Sequence, residues 1–400
     1  MPQTVSALCC ECGNCLQICP RSAIELQHNS TGSSQAVIDP GLCIDCHLCS
    51  NSCPMQNPAP RKIPLEAYGA LSQSSEAIHS TSGGIFFELA SAVLKNNGLV
   101  SGAAYGDDWS VSHILTGNQS DLIKLQGSKY VKSAVKTVFT QIKESLQQGE
   151  TVLFSGTPCQ VAALQRFIKE PGLRERLITV DLICHGTPPA SLFKDFLSSL
   201  EKKHHGKVCN FTFRNKSFGS KLQGTFTIQK GNSKRRYPLY SSEIPYYYLF
   251  LKGLTYTECC YTCSYATPER CGDITIGDFW GWQREIPEFA QKFNLPGSSS
   301  VSAVMVNTEK GKRLFQQVQP TLFTCPVPYE QIKRNNAQLC SPVQVNPDDR
   351  KRIWDVYMQD GYDGLIHAHK EMTDLRRYAS RVADCIPSGI KAKLKQVLQR

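Results

Sequence analysis

Eight cysteines within the first 53 residues fall into two copies of one pattern, Cys9-x2-Cys12-x2-Cys15-x3-Cys19-Pro20 and Cys43-x2-Cys46-x2-Cys49-x3-Cys53-Pro54. Thiolates at this spacing hold cubane iron–sulfur clusters, and in the two-cluster arrangement the fourth cysteine of each copy ligates the other cluster. The expected ligand sets are Cys9, Cys12, Cys15 and Cys53 for one 4Fe–4S cluster and Cys43, Cys46, Cys49 and Cys19 for the second. The chemistry they imply is the carriage of single electrons. Three cysteines at two-residue gaps let one tight loop reach three corners of a cube. The proline after the fourth cannot continue a hydrogen-bonded turn, so the chain leaves in a fixed direction. Zinc sites or a disulfide framework are the competing uses of so many thiols. Zinc sites pair two Cys-x2-Cys units and do not need the third and fourth cysteine at these intervals.

Two further cysteines follow short apolar segments that read as buried strands. Segment 151–155 leads into Gly156-Thr157-Pro158-Cys159-Gln160, and segment 177–183 into Cys184-His185-Gly186. In open parallel sheets the loops after strand C-termini line the ligand crevice, so both cysteines are expected at one pocket. Cys260 and Cys263 add a two-residue gap that suits a metal corner. Four thiolates at a crevice would suffice for another cluster. The same residues could form a redox Cys-x2-Cys disulfide, or remain buried thiols acting as small hydrophobes. Ser82, Gly83 and Gly84 precede a helix expected over 85–96, and Gly127, Ser128, Lys129 and Tyr130 precede another over 134–148. Backbone N–H groups at such starts can hold anions, although an N-cap with a turn uses the same residues. Neither loop is a Walker sequence or a GxGxxG fingerprint. Asp278, in Gly277-Asp278-Phe279-Trp280, is a carboxylate beside bulky aromatics, for which structural packing is the default.

The elements that must position these groups alternate. Strands are expected over 99–105, 111–115, 151–155 and 177–183, with helices over 158–169 and 189–203; this order argues a parallel α/β sheet. Residues 207–240 switch to alternating strands, an antiparallel excursion. Near the N-terminus, 23–26 and 36–38 read as short strands around a polar turn at 28–34, lidding the clusters with aliphatic side chains. Prolines 54, 58, 60 and 64 make a stiff connector. The last fifty residues look helical.

The 400-residue chain is 41% hydrophobic and 20% charged, as soluble globular proteins are. No secretory signal is visible and no apolar run approaches a membrane span. With nineteen cysteines, a reducing cytoplasm of a low-oxygen organism is expected. The formal charge of +10 falls to about +4 once three clusters of about −2 each are added. Basic residues at 350–352 and 391–400 read as a solvated helix face, or as a dock for an acidic electron-transfer partner. No stripe of interleaved basic and aromatic residues supports nucleic-acid binding.

Taken in order, Ser82-Gly83-Gly84, Gly127-Ser-Lys-Tyr-Val, Phe154-Ser-Gly-Thr-Pro-Cys159-Gln-Val-Ala-Ala-Leu164, Asp181-Leu-Ile-Cys184-His-Gly, Cys260-x2-Cys263, Asp273-Ile-Thr-Ile-Gly-Asp278-Phe-Trp-Gly and Val304-Met-Val-Asn307-Thr-Glu-Lys-Gly311 resemble the coenzyme F420 hydrogenase/dehydrogenase beta-subunit family, with a ferredoxin fused in front. That family is similar to 7-hydroxymethyl chlorophyll a reductase. The resemblance implies an α+β ferredoxin module over 1–56, a proline-rich linker over 57–67, an α/β catalytic domain over 68–340 with a mostly parallel sheet, and a helical basic tail over 341–400. It implies one FAD beside a third 4Fe–4S cluster held by Cys159, Cys184, Cys260 and Cys263. Ser82, Gly83, Gly84, Ser128, Lys129, Tyr130, Thr157 and Asp278 become cofactor-binding candidates. Lys129 would stabilise the reduced ring or bind phosphate, and His185 would relay a proton or orient its loop. Cys259 and Cys271 stand where either could replace a ligand. Cys10, Cys209, Cys325, Cys340 and Cys385 have no spacing logic and read as structural.

The implied function is an iron–sulfur flavoprotein oxidoreductase coupling hydride chemistry to one-electron transfer, with coenzyme F420 or a ferredoxin as redox partner. A reductase of another organic substrate, in a chlorophyll or polysaccharide branch, is the second reading. A non-catalytic electron-transfer subunit beside a hydrogenase or dehydrogenase subunit is the third.

Overall fold

The computed structural model describes residues 3–215, 223–296 and 299–373. Cys385 and the basic segment 391–400 lie outside the described residues.

The N-terminal module is small and mixed. Strands β1 (Gln3–Thr4), β2 (Ile24–His28) and β3 (Ser34–Ile38) form an antiparallel sheet in the order β1-β3-β2, with Ile24 opposite Ile38. One-and-a-half-turn helices, Asn14–Ile18 and Leu48–Ser52, follow the two cysteine loops and pack on each other. Val5, Ala36 and Ile38 are buried against Cys15, with Ile24, Leu26, Cys9, Cys43, Cys49 and Cys53 around them. The aliphatic lid read from the sequence is therefore present, on strands at the expected positions.

The second part is an eight-stranded sheet. Its members in chain order are β4 (Glu66–Ser72), β5 (Leu99–Tyr105), β6 (Val111–Thr116), β7 (Val152–Gly156), β8 (Leu177–Leu182), and then, after the excursion, β12 (Ile274–Asp278), β13 (Ser302–Val306) and β14 (Leu322–Pro326). The spatial order is β14-β4-β13-β12-β8-β7-β5-β6. The four central strands β12, β8, β7 and β5 run parallel. Antiparallel partners extend both sides. The α/β class is as expected. The antiparallel flanks follow from hairpin-like returns that residue patterning alone does not reveal.

The excursion is a separate antiparallel sheet of β9 (Lys207–Thr212), β10 (Gln223–Lys230) and β11 (Ser233–Tyr240). Its inner face joins an aromatic core in which Phe193, Phe196, Phe211, Phe213 and Tyr246 stack or meet edge to face. Helix Pro347–Thr373 adds Ile353, Trp354, Tyr362 and Leu365 to that core and breaks at Gly361, where φ is +62°. The expected tail region thus contributes packed residues up to 373. Arg350 pairs with Glu258 and lies 4.3 Å over the Tyr261 ring, so this cation is not simply solvated. The proline-rich connector lies against the sheet domain: Arg166 donates to the carbonyls of Asn57 and Pro58, and Lys62 bridges Arg270. Strand β4 begins at Glu66, within the last residues of the expected linker.

A buried ion pair fastens the parallel centre. Asp181 on β8 accepts from Arg270 at 3.0 Å and from the Thr275 hydroxyl, and both charged side chains are almost wholly enclosed. Arg270 also donates to the carbonyls of Leu182 and Tyr265. Removing one member of such a pair leaves the other charge uncompensated. Arg270→Met should lower stability by about 3–5 kcal/mol, read as a shifted urea midpoint; a shift under a fifth of that would show the pair to be dispensable.

Candidate functional site

The parallel centre brings the C-terminal ends of β5, β7, β8 and β12 to one edge, and two adjoining cavities open there. The first is small, ≈ 40 Å³, and is a cysteine chamber. Cys159, Cys184, Cys260 and Cys263 all line it, together with Cys10 and Cys259. Each expected thiol arrives by a different local device. Cys159 sits in the first turn of helix Pro158–Phe167, whose start is fixed by a capping box between Thr157 and Gln160 and by proline at the first position. Cys184 follows β8, and Gly186 turns the chain away at φ +130°, where any Cβ would strike the Tyr256 ring. Cys260 ends a short 3-10 turn, Glu258–Cys260, tied to the Cys184 loop by Thr257 N–H donating to Thr187 O at 2.9 Å.

Charge in the chamber is balanced by named groups. Lys132 is buried and its ammonium donates to the Cys10 carbonyl. The Cys10 thiol is in hydrogen-bonding contact with both Cys12 and Cys159, which lowers the pKa of each of those partners. Cys159 is pushed down to about 5, by Cys10 first and then by Lys132 and the Thr157 hydroxyl, 3.2 Å away. Cys260 is pushed down to about 6 by Cys259, Lys132 and the Thr257 hydroxyl at 3.3 Å. Burial raises Cys184, with the neighbouring Cys260, Cys159 and Cys263 adding to the effect. Cys271 points elsewhere: its thiol donates to Pro158 O at 3.3 Å beside Asp181, and it does not line the chamber.

The N-terminal cysteines also segregate. Cys19, Cys43, Cys46 and Cys49 line one small cavity of ≈ 20 Å³. Burial raises Cys15, and the charges of Cys12, Cys9, Cys53 and Cys49 add to the effect. Cys19 thus lies with the second motif and Cys53 near the first, the neighbourhood that crossed ligation needs, while among the described residues no three ligating side chains are set to hold a metal ion. Since Cys12 meets Cys10, and Cys10 meets Cys159, the first N-terminal set abuts the chamber. Sequence reasoning missed both connecting residues. Cys10 has no spacing signal, and Lys132 was only the second lysine of a polar loop.

The second cavity is larger, ≈ 330 Å³, and shares Thr157, Cys184, His185, Gly186 and Thr187 with the chamber. Ser82, Gly84, Ser128, Lys129, Tyr130 and Asp278 line it as well. Gly83 does not; it backs the loop, where a Cβ would meet Ala70 O and its N–H donates to Ser302 Oγ at 2.8 Å. The two glycine–hydroxyl loops are joined by Ser128 N–H donating to Thr81 Oγ1 at 2.6 Å. Lys129 Nζ donates to the carbonyls of Gln126 and Lys124, both at 2.9 Å, and lies 5.5 Å from the Tyr105 ring centre; burial lowers its pKa to about 7. His185 borders both cavities, and burial lowers its pKa against the pull of Asp278. Asp278 is held by Arg214 at 2.6 Å, a residue the sequence did not single out. His113, also missed, stacks on Phe154 with Nε2 3.1 Å from Ser155 O; burial lowers its pKa to about 4. Four buried atoms on the lining residues, Ser80 Oγ, His113 Nδ1, Thr187 Oγ1 and Asn336 Oδ1, have no hydrogen-bond partner among the described residues.

Residues 8–57 match the 4Fe-4S dicluster domain model, and residues 149–324 match the model for the C terminus of the coenzyme F420 hydrogenase/dehydrogenase beta subunit. A chain of the F420-reducing NiFe hydrogenase complex from Methanosarcina barkeri is similar at 16% identity, covering 74% of this chain and 94% of that one, with a TM-score of 0.43. No match is found among the curated proteins. Among the described residues no helix is long and apolar enough to cross a membrane.

The thiol pKa pattern is directly measurable. In chelator-stripped protein at pH 6.5, iodoacetamide should label Cys159 and Cys260 before Cys184 and Cys263, because the thiolate is the nucleophile. Lys132→Met should slow labelling of Cys159 by removing the nearby positive charge. Equal rates at all four sites by mass spectrometry would refute the electrostatic picture.

Proposed function

We propose that this chain, which joins a 4Fe–4S dicluster domain to a domain of the coenzyme F420 hydrogenase/dehydrogenase beta-subunit family, is an iron–sulfur flavoprotein oxidoreductase. One observation carries the reading: the cysteine chamber and the larger cavity share a wall. A third 4Fe–4S cluster on Cys159, Cys184, Cys260 and Cys263 would then border a cofactor in the larger cavity. The lining of that cavity fits a flavin in size, within the ordinary range of small-molecule sites. It also fits in chemistry, through hydroxyl-rich loops at Ser80–Ser82 and Ser128 and four buried polar atoms without partners among the described residues. A bound flavin would supply the exchange between hydride chemistry and single electrons.

The chain's own residues set the conditions for that chemistry. Ser82, Gly84 and Ser128 would hold the phosphates and the polar chain of the cofactor through N–H and O–H donors. Gly127, at φ +79°, opens the backbone toward the cavity because little lies within reach of a Cβ there. Lys129 places an amine at the wall whose proton is gained and lost near neutral pH. It would therefore offset negative charge building up beside it. Arg214 fixes and orients the Asp278 carboxylate through a 2.6 Å contact. His185, on the shared wall and facing Asp278, would hold a proton between the cavity and the cysteine chamber. The Thr157 and Thr257 hydroxyls would donate to the sulfurs of Cys159 and Cys260, which favours the more negative state of a bound cluster. The physiological partner in this reading is a one-electron carrier or a hydrogenase or dehydrogenase subunit, with coenzyme F420 a candidate for the hydride-exchanging substrate.

Anaerobic reconstitution tests the proposal. Wild-type protein should hold about twelve iron atoms and one flavin per chain, and Cys159→Ser about eight irons, with the N-terminal electron paramagnetic resonance signals retained. Eight irons in both proteins would remove the third cluster, and absence of flavin would reduce the protein to a dicluster relay. Oxidation of reduced F420 by the isolated, loaded chain separates an enzyme of that coenzyme from a reductase of another substrate.

A further inference from the structure

The two cysteine loops are structural copies that meet opposite fates. Glu11 and Gly13 in the first have φ of 54° and 69°; Asp45 and His47, at the matching positions, have 52° and 56°. Each loop then enters a short helix at equivalent residues, Asn14 and Leu48. By this correspondence Cys10 matches Ile44. Cys10 is 3% exposed and is the point at which the first loop meets the sheet domain, touching Cys159 and receiving the Lys132 ammonium on its carbonyl. Ile44 is 58% exposed, with Leu42 at 45% and Leu48 at 37%, and Cys46 is exposed among them. Nothing in the chain's described residues covers this face. Large aliphatic side chains ringing an exposed cluster ligand form a patch, not scattered surface residues.

Charge identifies what suits it. Residues 1–56 carry Glu11, Glu25, Asp39 and Asp45 against Arg21 as their one Lys or Arg, while the whole chain has a formal charge of +10. Bound clusters add further negative charge. In the first copy, the surface that meets Cys10 is apolar with a buried lysine, contributed by Val135 near Gly13 and by Lys132. The matching face of the second copy calls for the same chemistry from outside.

We propose that the Leu42–Ile44–Leu48 face is the docking surface for a one-electron carrier protein whose own docking face is apolar and basic. The proposal rests on the dicluster module acting as the outer port of the electron path described above. The transfer moves one electron from the reduced Cys19/Cys43/Cys46/Cys49 cluster to the carrier's oxidised centre, with no bond made or broken and no proton required. An apolar patch of this size makes a small, short-lived contact, as electron-transfer encounters do.

The test uses full-length, reconstituted protein, reduced with dithionite and desalted, mixed with oxidised mitochondrial cytochrome c, a basic carrier. Cytochrome reduction should be fast at low salt and slow steadily as salt rises. Ile44→Lys and, separately, Leu42→Lys should each cut the rate at least about tenfold, while Ile44→Val keeps it. Reduction of duroquinone, a small neutral acceptor, and iron content should be unchanged in all three. Unchanged cytochrome rates in both lysine variants would overturn the proposal. So would a faster reaction with an acidic plant-type ferredoxin that the lysine variants improve. A wild-type dimer in sedimentation that Ile44→Lys dissolves would assign the face to a second copy instead. Loss of the N-terminal irons from wild-type protein would fail the underlying reading, not this surface.

Discussion

Crowded negative charge is the constraint that the rest of this molecule answers. Cys10, Cys159, Cys184, Cys259, Cys260 and Cys263 line one small chamber, and Cys12 lies just beyond it. As thiolates or cluster ligands these groups repel one another, and burial penalises each charge further. The fold opposes this with a buried ammonium at Lys132, threonine hydroxyls at 157 and 257, and the N-terminus of helix Pro158–Phe167, whose dipole favours negative charge at Cys159. Lys132 has a second role, because its proton goes to the Cys10 carbonyl in the other module. One cation therefore neutralises the chamber and clamps the junction. Were a cluster bound in the chamber, a positive charge beside it would favour its reduced state.

The sheet explains why these groups converge. Four parallel strands end together: the segments after β7 and β8 deliver Thr157 and Cys159, and Cys184 and His185, and β12 itself ends in Asp278. Asp181 and Arg270 lock β8 to the chain segment just before β12, beneath the chamber. Positions on that locked edge move little relative to one another. The loops at 80–84 and 127–130 are tied by the Ser128 N–H donating to the Thr81 hydroxyl, so the larger cavity has one wall of strand ends and one lined with hydroxyls.

What was legible in the sequence follows from how local each signal is. The two cysteine motifs could be read because three cysteines of each lie within seven residues and the fourth follows at a fixed gap. The strand-end cysteines could be read because the sheet class places all such ends at one edge. Cys10 and Lys132 could not: their meaning depends on contacts between segments more than a hundred residues apart. Arg214 was hidden for the same reason, being on the antiparallel excursion while its partner Asp278 ends β12. The helical reading of the last fifty residues agrees with the structure as far as Thr373; what patterning did not reveal is that Pro347–Thr373 packs into the aromatic core and that the outer strands run antiparallel, because both depend on contacts between distant segments.

The two cysteine loops share a backbone geometry and carry different side chains at matching positions, and this gives the N-terminal module unlike faces. Two loops of equal backbone geometry offer equal routes for charge, and symmetry alone gives the path no ends. Replacing the small thiol at position 10 by isoleucine at position 44 breaks that symmetry. A buried cysteine can sit against Cys12 and Cys159 at once, giving a continuous contact inward. An isoleucine at the same place offers no polar contact and gains only by excluding water. The inward end is thus built for permanent connection through sulfur and a fixed cation, and the outward end for a contact that forms and breaks. Because the two faces differ in chemistry and not in backbone geometry, a path from the surface through clusters bound in the module to the chamber would have a defined inside and outside.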